Sequence, residues 1–293
     1  MEIIKIHNLT KRYPGKSRPA LNDISLEIQS GLFGLLGKNG AGKSTLLKIL
    51  TTLDQATSGS IEMCGIPIKS KAAIRNQIGY LPQNFGFYPN MTVVDAMTYL
   101  AILANVPSHQ RVERINQLLD AVNLSRQSKS KIKSLSGGML QRLGIAQALV
   151  NNPKVLIIDE PTAGLDPEER IRLRNLLTDF ARDRIIILST HIVSDIEATT
   201  NTIGVLDGGR LIFHGSTIQL IREATNHFFE AKIPSADLTD FKSNYRLSEQ
   251  ISEGSMIKVR FLSNNPLSNA TPVSPTLEEA YLYLQTQHEE GLQ

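Results

Sequence analysis

Three short runs carry residue types whose spacing could do chemistry. In the first, Gly37-Lys38-Asn39-Gly40-Ala41-Gly42-Lys43-Ser44-Thr45, the glycines at 37 and 42 precede a Lys-Ser pair. That spacing fits a phosphate-binding loop. Its glycines leave backbone N–H groups free to surround phosphate oxygens, and a helix starting at its end adds the positive end of the helix dipole. Lys43 is placed to reach the β- and γ-phosphates of a nucleotide, and the Ser44 hydroxyl to ligate Mg2+. In the second run, the apolar residues Leu156-Ile157-Ile158 lead into Asp159-Glu160, so both carboxylates emerge at a strand end. Asp159 suits a Mg2+ holder, and Glu160 a general base orienting water for in-line attack on the γ-phosphate. The third run, Leu135-Ser136-Gly137-Gly138-Met139-Leu140-Gln141-Arg142, opens a predicted helix with bare backbone donors, which makes an anion site.

The elements around these runs suit that chemistry. Residues 31–36 form an apolar strand feeding the loop, and 43–53 read as the helix after it. Strand-like apolar runs at 155–158 and 185–188 are separated by a helical stretch, the alternation of a mostly parallel α/β core. Between 88 and 124 the period is helical, with Val93, Ala96, Met97, Leu100 and Ala101 on one face and Ile115, Leu118, Leu119 and Val122 on another. The helix opened by Ser136 is predicted to run to Val150. Residues 203–206 and 211–213 flank Asp207-Gly208-Gly209, a hairpin turn.

After about Gln219 the texture changes. Strands are predicted over 227–233 and 256–262, the latter after a Ser252-Glu253-Gly254 turn, and a short helix over 236–243. Residues 264–275 read as loop. Thr276 and Glu279 form a capping box for a last helix presenting Leu277, Ala280, Tyr281 and Leu284. Residues 221–293 are thus expected to form a small α+β appendage to a larger domain spanning 1–220.

Taken together, in this order and spacing, the three runs resemble the ATP-binding subunit of an ABC transporter over residues 1–220. The resemblance implies a P-loop NTPase core of ABC ATPase type, with an N-terminal antiparallel β subdomain and a helical subdomain inserted at about 86–150. It implies that the whole loop, Gly37, Lys38, Asn39, Gly40, Ala41, Gly42, Lys43, Ser44 and Thr45, holds ATP, with Tyr13 stacking on adenine. Leu135, Ser136, Gly137, Gly138 and Gln141 then bind the γ-phosphate of ATP held by a partner subunit. Gln83, in Tyr80-Leu81-Pro82-Gln83, resembles the glutamine that senses Mg2+ and the attacking water, so Ser44, Gln83 and Asp159 form the expected metal set. Gly164-Leu165-Asp166 resembles the segment crossing the dimer interface. His191, after Ile187-Leu188-Ser189-Thr190, resembles the histidine contacting the γ-phosphate. The expected catalytic set is Glu160, His191, Lys43 and Gln83.

Lys38 stands where many relatives carry proline, and Met139 where many carry glutamine. Met139 and the Pro275-Thr276-Leu277-Glu278-Glu279-Ala280-Tyr281 segment are similar to the branch that works with six-helix exporter-type permeases. The resemblance implies a homodimer, or a heterodimer with a second ATP-binding subunit, driving separate transmembrane permease subunits from the cytoplasmic face of the membrane. The alternative is a soluble ABC-type ATPase of DNA repair or translation. Against it, only about ninety residues separate Thr45 from Leu135 with no sustained heptads, and there is one cassette.

Composition agrees with a globular ATPase. Hydrophobic residues make up 41% and charged residues 20%, ordinary for a soluble domain. A net charge of +3 is too small to point to nucleic acid, and none is expected as a partner. Cys64 is the only cysteine, so no intrachain disulfide can form. The best membrane-span candidate, 96–106, is far short of the roughly 20 apolar residues a spanning helix needs.

Overall fold

The structure, a computed structural model, describes residues 2–290. Contacts divide the chain into two units, one ending at His214 and one beginning at Gly215.

The first unit begins with β1 (Ile3–Lys11) and β2 (Leu21–Gln29), paired antiparallel. Alternate residues (Ile4 and Ile6; Leu26 and Ile28) are buried, the pattern of a sheet with one face in water. The register of β1 shifts between Ile6 and Leu9, where Asn8 takes φ 45°. This bulge returns Leu9 to the buried face. The chain continues into β3 (Gly31–Leu36), the glycine loop and α1 (Lys43–Leu50). Next come β4 (Ser58–Met63) and β5 (Ile66–Pro67), which complete the first sheet in the order β2-β1-β4-β5. After α2 (Lys71–Gln77) and β6 (Ile78–Leu81) three helices follow, α3 (Val93–Leu103), α4 (Ser108–Ala121) and α5 (Gly137–Ala148). The unit closes with β7 (Val155–Asp159), α6 (Pro167–Phe180), β8 (Ile185–Thr190), α7 (Val193–Glu197), β9 (Thr202–Asp207) and most of β10 (Arg210–Ser216).

The second sheet has the order β10-β9-β3-β8-β7-β6, with β3 pairing parallel to both β8 and β9, and β7 parallel to both β6 and β8. Every residue of β7 and β8 is buried, because both faces of these strands are covered. Leu156, Ile158, Ile186 and Leu188 enter a core shared with α3, α4 and α5. Val155, Ile157, Ile185 and Ile187 enter another, shared with α1 and the antiparallel sheet. Parallel pairing sends the ends of β3, β7 and β8 out at one edge, the edge where doubly wound sheets bind ligands.

Two helices stop earlier than their sequence period suggests. α1 ends at Leu50 rather than 53, as Thr52 turns to φ 60°, and α5 ends at Ala148 rather than 150. Strand β6 packs tightly on that last turn of α5: a Cβ on Gly79 would overlap the Ala148 carbonyl oxygen. Gly79→Ala is therefore expected to lower unfolding free energy by about 3 kcal/mol through overpacking against backbone, which urea denaturation would measure.

The second unit contains α8 (Thr217–Glu223), β11 (Phe228–Pro234), α9 (Leu238–Asn244), β12 (Arg246–Glu253), β13 (Met256–Leu262), β14 (Thr271–Pro272) and α10 (Leu277–Glu290). Its sheet runs β12-β13-β11-β14 around a core of Ala231, Ile233, Phe241, Ile257, Val259 and Phe261. Three sequence expectations are corrected here. Residues 246–253, given no element by the sequence, form strand β12, the turn falls at Gly254-Ser255 rather than Ser252-Glu253-Gly254, and the 264–275 loop contains β14, which pairs with β11. β12 is an exposed edge with no alternation to read. The capping box forms: Glu279 N–H donates to Thr276 Oγ1 at 3.2 Å, and Thr276 N–H to Glu279 Oε2 at 2.8 Å.

Candidate active site

The loop after β3 takes its shape from positions that only glycine fills. Gly40 and Gly42 adopt φ 83° and 109°, and a Cβ on Gly42 would stand 2.7 Å from the Ala20 carbonyl. Gly42 caps α1 without a side chain, which leaves the first backbone N–H groups of the helix bare. Behind the loop, buried Lys43 donates from Nζ to the carbonyls of Gly37 at 2.6 Å and Lys38 at 3.2 Å. Burial pulls the Lys43 ammonium below its ordinary pKa, and the charges of Glu160 and Asp159 oppose that shift.

Beside the loop lies a cavity of about 390 Å3, lined by Ala20, Lys38, Asn39, Gly40, Gly42, Lys43, Ser44, Thr45, Gln83 and Glu160. Three residues from outside the loop, Ala20, Gln83 and Glu160, thus join it. Glu160 is the hub: its Oε1 lies 3.6 Å from Lys43 Nζ and 3.2 Å from His191 Nδ1, and its Oε2 accepts from Gln83 Nε2 at 3.2 Å. Glu160 holds φ 50°, a left-handed conformation costing a non-glycine residue about 1–2 kcal/mol. Its N–H donates to the Ser189 carbonyl of β8 at 2.9 Å, which fixes that turn at the strand edge. His191 follows β8 directly, in a turn closed by the Ile192 N–H donating to Thr190 Oγ1 at 2.9 Å.

Asp159 is buried at the end of β7, and its Oδ1 has no hydrogen-bond partner among the described residues. Its charge, after burial, raises the Tyr80 hydroxyl to about 12. Tyr13 does not line the cavity. It is pinned by its hydroxyl, which donates to Asp54 Oδ2 at 2.8 Å, while Lys11 Nζ sits 4.7 Å from its ring centre and bonds Asp54 Oδ1 at 2.5 Å. Burial, then Asp54, pushes the Tyr13 hydroxyl above its usual pKa.

The remaining sequence-predicted residues lie elsewhere. Leu135, Ser136, Gly137, Gly138 and Gln141, together with Gly164, Leu165 and Asp166, line no part of this cavity. Ser136 caps α5, accepting the Met139 N–H at 3.3 Å, and Ser136 and Gly137 are exposed. Asp166 caps α6 in the same way, accepting the Glu169 N–H at 2.9 Å.

Sequence reasoning missed several supports of the site. Lys11 and Asp54 hold Tyr13, and buried Asp195 accepts the Thr162 hydroxyl with Arg174 4.0 Å from its other oxygen. Arg142 and Glu169 form a third such pair. These partners lie tens of residues apart, and no local pattern marks them.

A central parallel strand, a glycine loop and a helix, with a carboxylate-bearing strand alongside, define a phosphate-loop ATPase. The chain belongs to the ABC transporter ATP-binding family, whose model, described as ABC transporter, matches residues 21–163. It is 32% identical to a methionine import ATP-binding protein, MetN 3, of Shouchella clausii, over 89% of this chain and 80% of that protein. It is 37% identical to a Nod factor export ATP-binding protein I of Cupriavidus metallidurans, over 75% of this chain and 73% of that one. Among solved structures, cbiO1 from Clostridium perfringens, part of an ABC transporter complex, aligns with a TM-score of 0.67 at 28% identity, over 75% of this chain and 93% of that one. A dimeric ATP-binding cassette in a post-hydrolysis state with ADP and Pi aligns at 0.65 and 27%, over 73% of this chain and 98% of that one. This chain is thus an ATPase subunit of the ABC transporter family. Among the described residues, no helix is long and apolar enough to cross a membrane.

Proposed function

We propose that two ATP-binding subunits of this kind close head to tail around ATP and drive a separate permease, in the export direction. The observation that carries the catalytic part is the convergence of Lys43, Gln83 and His191 on the Glu160 carboxylate within 3.2–3.6 Å. On this reading Lys43 and the loop N–H groups hold the β- and γ-phosphates, and Tyr13 stacks on adenine. Glu160 orients the attacking water and accepts its proton, with Gln83 and His191 fixing the carboxylate. Catalysis is then positioning and charge stabilisation.

Ser44, Gln83 and Asp159 would hold Mg2+, which would screen the triphosphate and polarise its γ-phosphate. The unpartnered Asp159 Oδ1 is the donor a hard cation takes.

Dimerisation is supported by the exposure of Ser136 and Gly137 away from the loop, where a second copy could reach them. The export direction rests on relatives named for Nod factor export at 37–38% identity, against one named for methionine import at 32%. Met139 and the 275–281 segment point the same way. The relatives are named for transport, so DNA repair or translation has less support. The subunit would sit on the cytoplasmic face of the membrane, beneath its permease.

The test is to purify tagged Glu160→Gln protein with ATP and Mg2+ from solubilised membranes and identify what accompanies it by mass spectrometry. A six-helix, exporter-type membrane protein in stoichiometric amount is the expected result. Recovery from the cytosol alone, with ribosomal or DNA-repair proteins, would overturn the transporter reading.

A further inference from the structure

The start of α5 and the start of α6 meet through Glu169, which lies outside every sequence motif. Its backbone N–H is held by the Asp166 cap, and its largely buried side chain turns toward α5. There Oε2 lies 3.3 Å from Arg142 Nε. The carboxylate also occupies the space where a side chain on Gly138 would begin, since a Cβ there would stand 2.5 Å from Oε2 and 2.7 Å from Cγ. Arg142 is buried and donates from Nη1 to the carbonyls of Val122 at 2.8 Å and Asn123 at 3.2 Å, beyond the end of α4. Arg172, one turn along α6, holds the other oxygen of Glu169 at 3.0 Å.

Among the described residues neither Arg142 Nε nor Glu169 Oε2 has a hydrogen-bond partner, so the buried Arg142 charge is answered by Glu169, which Arg172 holds from its other oxygen. Breaking one member of such a pair leaves a buried charge unanswered. The geometry also gives Gly138 a second reason to be glycine. A bare N–H at a helix start favours an anion, and here the missing Cβ also admits the carboxylate that ties α5 to α6. By contrast, a Cβ on Gly137 would meet nothing within 4 Å, so the tie is specific to the inner glycine.

We propose that Glu169 is a positioning residue that locks the Ser136-Gly137-Gly138 turn to the Gly164-Leu165-Asp166 loop, so that both face a partner's ATP as one rigid edge. The proposal rests on the reading that the active site is shared between two copies. Glu169 touches no nucleotide. It acts by fixing, before the partner arrives, the relative placement of two elements that must engage together, and so lowers the cost of closing the dimer.

The test uses the full chain in a Glu160→Gln background, with ATP and Mg2+. Sedimentation velocity gives the dimer Kd, and titration with a fluorescent ATP analogue at low protein concentration gives the monomer's ATP affinity. Glu169→Gln keeps the side-chain shape and removes the charge. Glu169→Asp keeps the charge and withdraws it by one methylene. Each is expected to weaken ATP-driven dimerisation by about tenfold or more, with ATP affinity unchanged. If the parent dimerises with ATP and both variants dimerise equally well, the role of Glu169 is overturned. ATP affinity falling in parallel with dimerisation would mark a general loss of fold and also overturn it. A parent that stays monomeric with ATP would overturn the shared-site reading, and the lock with it.

Discussion

Glu160→Gln is expected to lower ATP turnover by about 10²–10⁴-fold, the usual contribution of a positioned general base. That corresponds to about 3–5 kcal/mol of transition-state stabilisation. Two features of the site make the substitution clean. Glutamine bears the same left-handed backbone cost at φ 50° that glutamate bears, so the turn held by the Ser189 carbonyl should survive. It can also keep the neighbours of the carboxylate, since an amide oxygen can still accept from Gln83 Nε2, now 3.2 Å away. What disappears is the negative charge 3.6 Å from Lys43 and 3.2 Å from His191. Without that charge facing the γ-phosphate, ATP should bind at least as tightly, and the ATP-held dimer should persist because it cannot turn over. Phosphate release and sedimentation in ATP check the two halves of the expectation. Turnover within threefold of the parent would remove Glu160 from its role. His191→Ala is the informative control, because it deletes a neighbour and leaves the carboxylate in place. A larger loss there than in Glu160→Gln would move the base to the imidazole.

The parts of this site readable in sequence are those where chemistry and backbone demand coincide over a few residues. The loop at 37–45 is legible because its glycines, Lys43 and Ser44 act within one turn of chain. Asp159-Glu160 is legible because β7 is buried on both faces, so a fully apolar run ends abruptly in charge. The hairpin at Gly208-Gly209 is legible because both residues take positive φ, 52° and 81°. From β4 to β6 little pattern is available to read: β5 is two residues long, and only Ile61 and Met63 of β4 are buried. β12 is illegible because an edge strand exposed at every residue but Leu247 needs no apolar alternation. The supports of the site were illegible for a different reason. Tyr13 is held from Asp54, Thr162 faces Asp195, and Gly138 makes room for Glu169, all pairings set by how the sheet and helices stack. No spacing rule reaches across such distances. The left-handed backbone of Glu160 is likewise invisible, since nothing in the residue type announces it.

Ser136→Arg is expected to leave the monomer's ATP affinity intact and to reduce turnover by about 10²–10³-fold, the loss typical when a preorganised donor set is removed from a reacting oxyanion. The structure makes this a test of sharing rather than of folding. Ser136 is exposed, and a Cβ on Gly137 beside it would meet nothing within 4 Å, so the turn lies at the surface where added bulk is not forced into a core. The loss inside the monomer is one helix cap, a 3.3 Å bond to the Met139 N–H, worth about 1 kcal/mol. Ser136→Ala incurs the same loss without adding bulk or charge, and should retain much of the activity, because the backbone donors of Gly137 and Gly138 remain. Lys43→Ala is the complementary lesion: it disables the loop and leaves Ser136 alone. Neither variant alone should hydrolyse ATP. In a mixed dimer, the loop of the Ser136→Arg subunit faces the intact Ser136 turn of its Lys43→Ala partner, so one of the two composite sites is whole. Activity reappearing on mixing is therefore the expected result, with phosphate release rising with the fraction of mixed dimer. Full activity of Ser136→Arg by itself would mean that each copy completes its own site, and silence on mixing would mean that hydrolysis needs both sites intact at once.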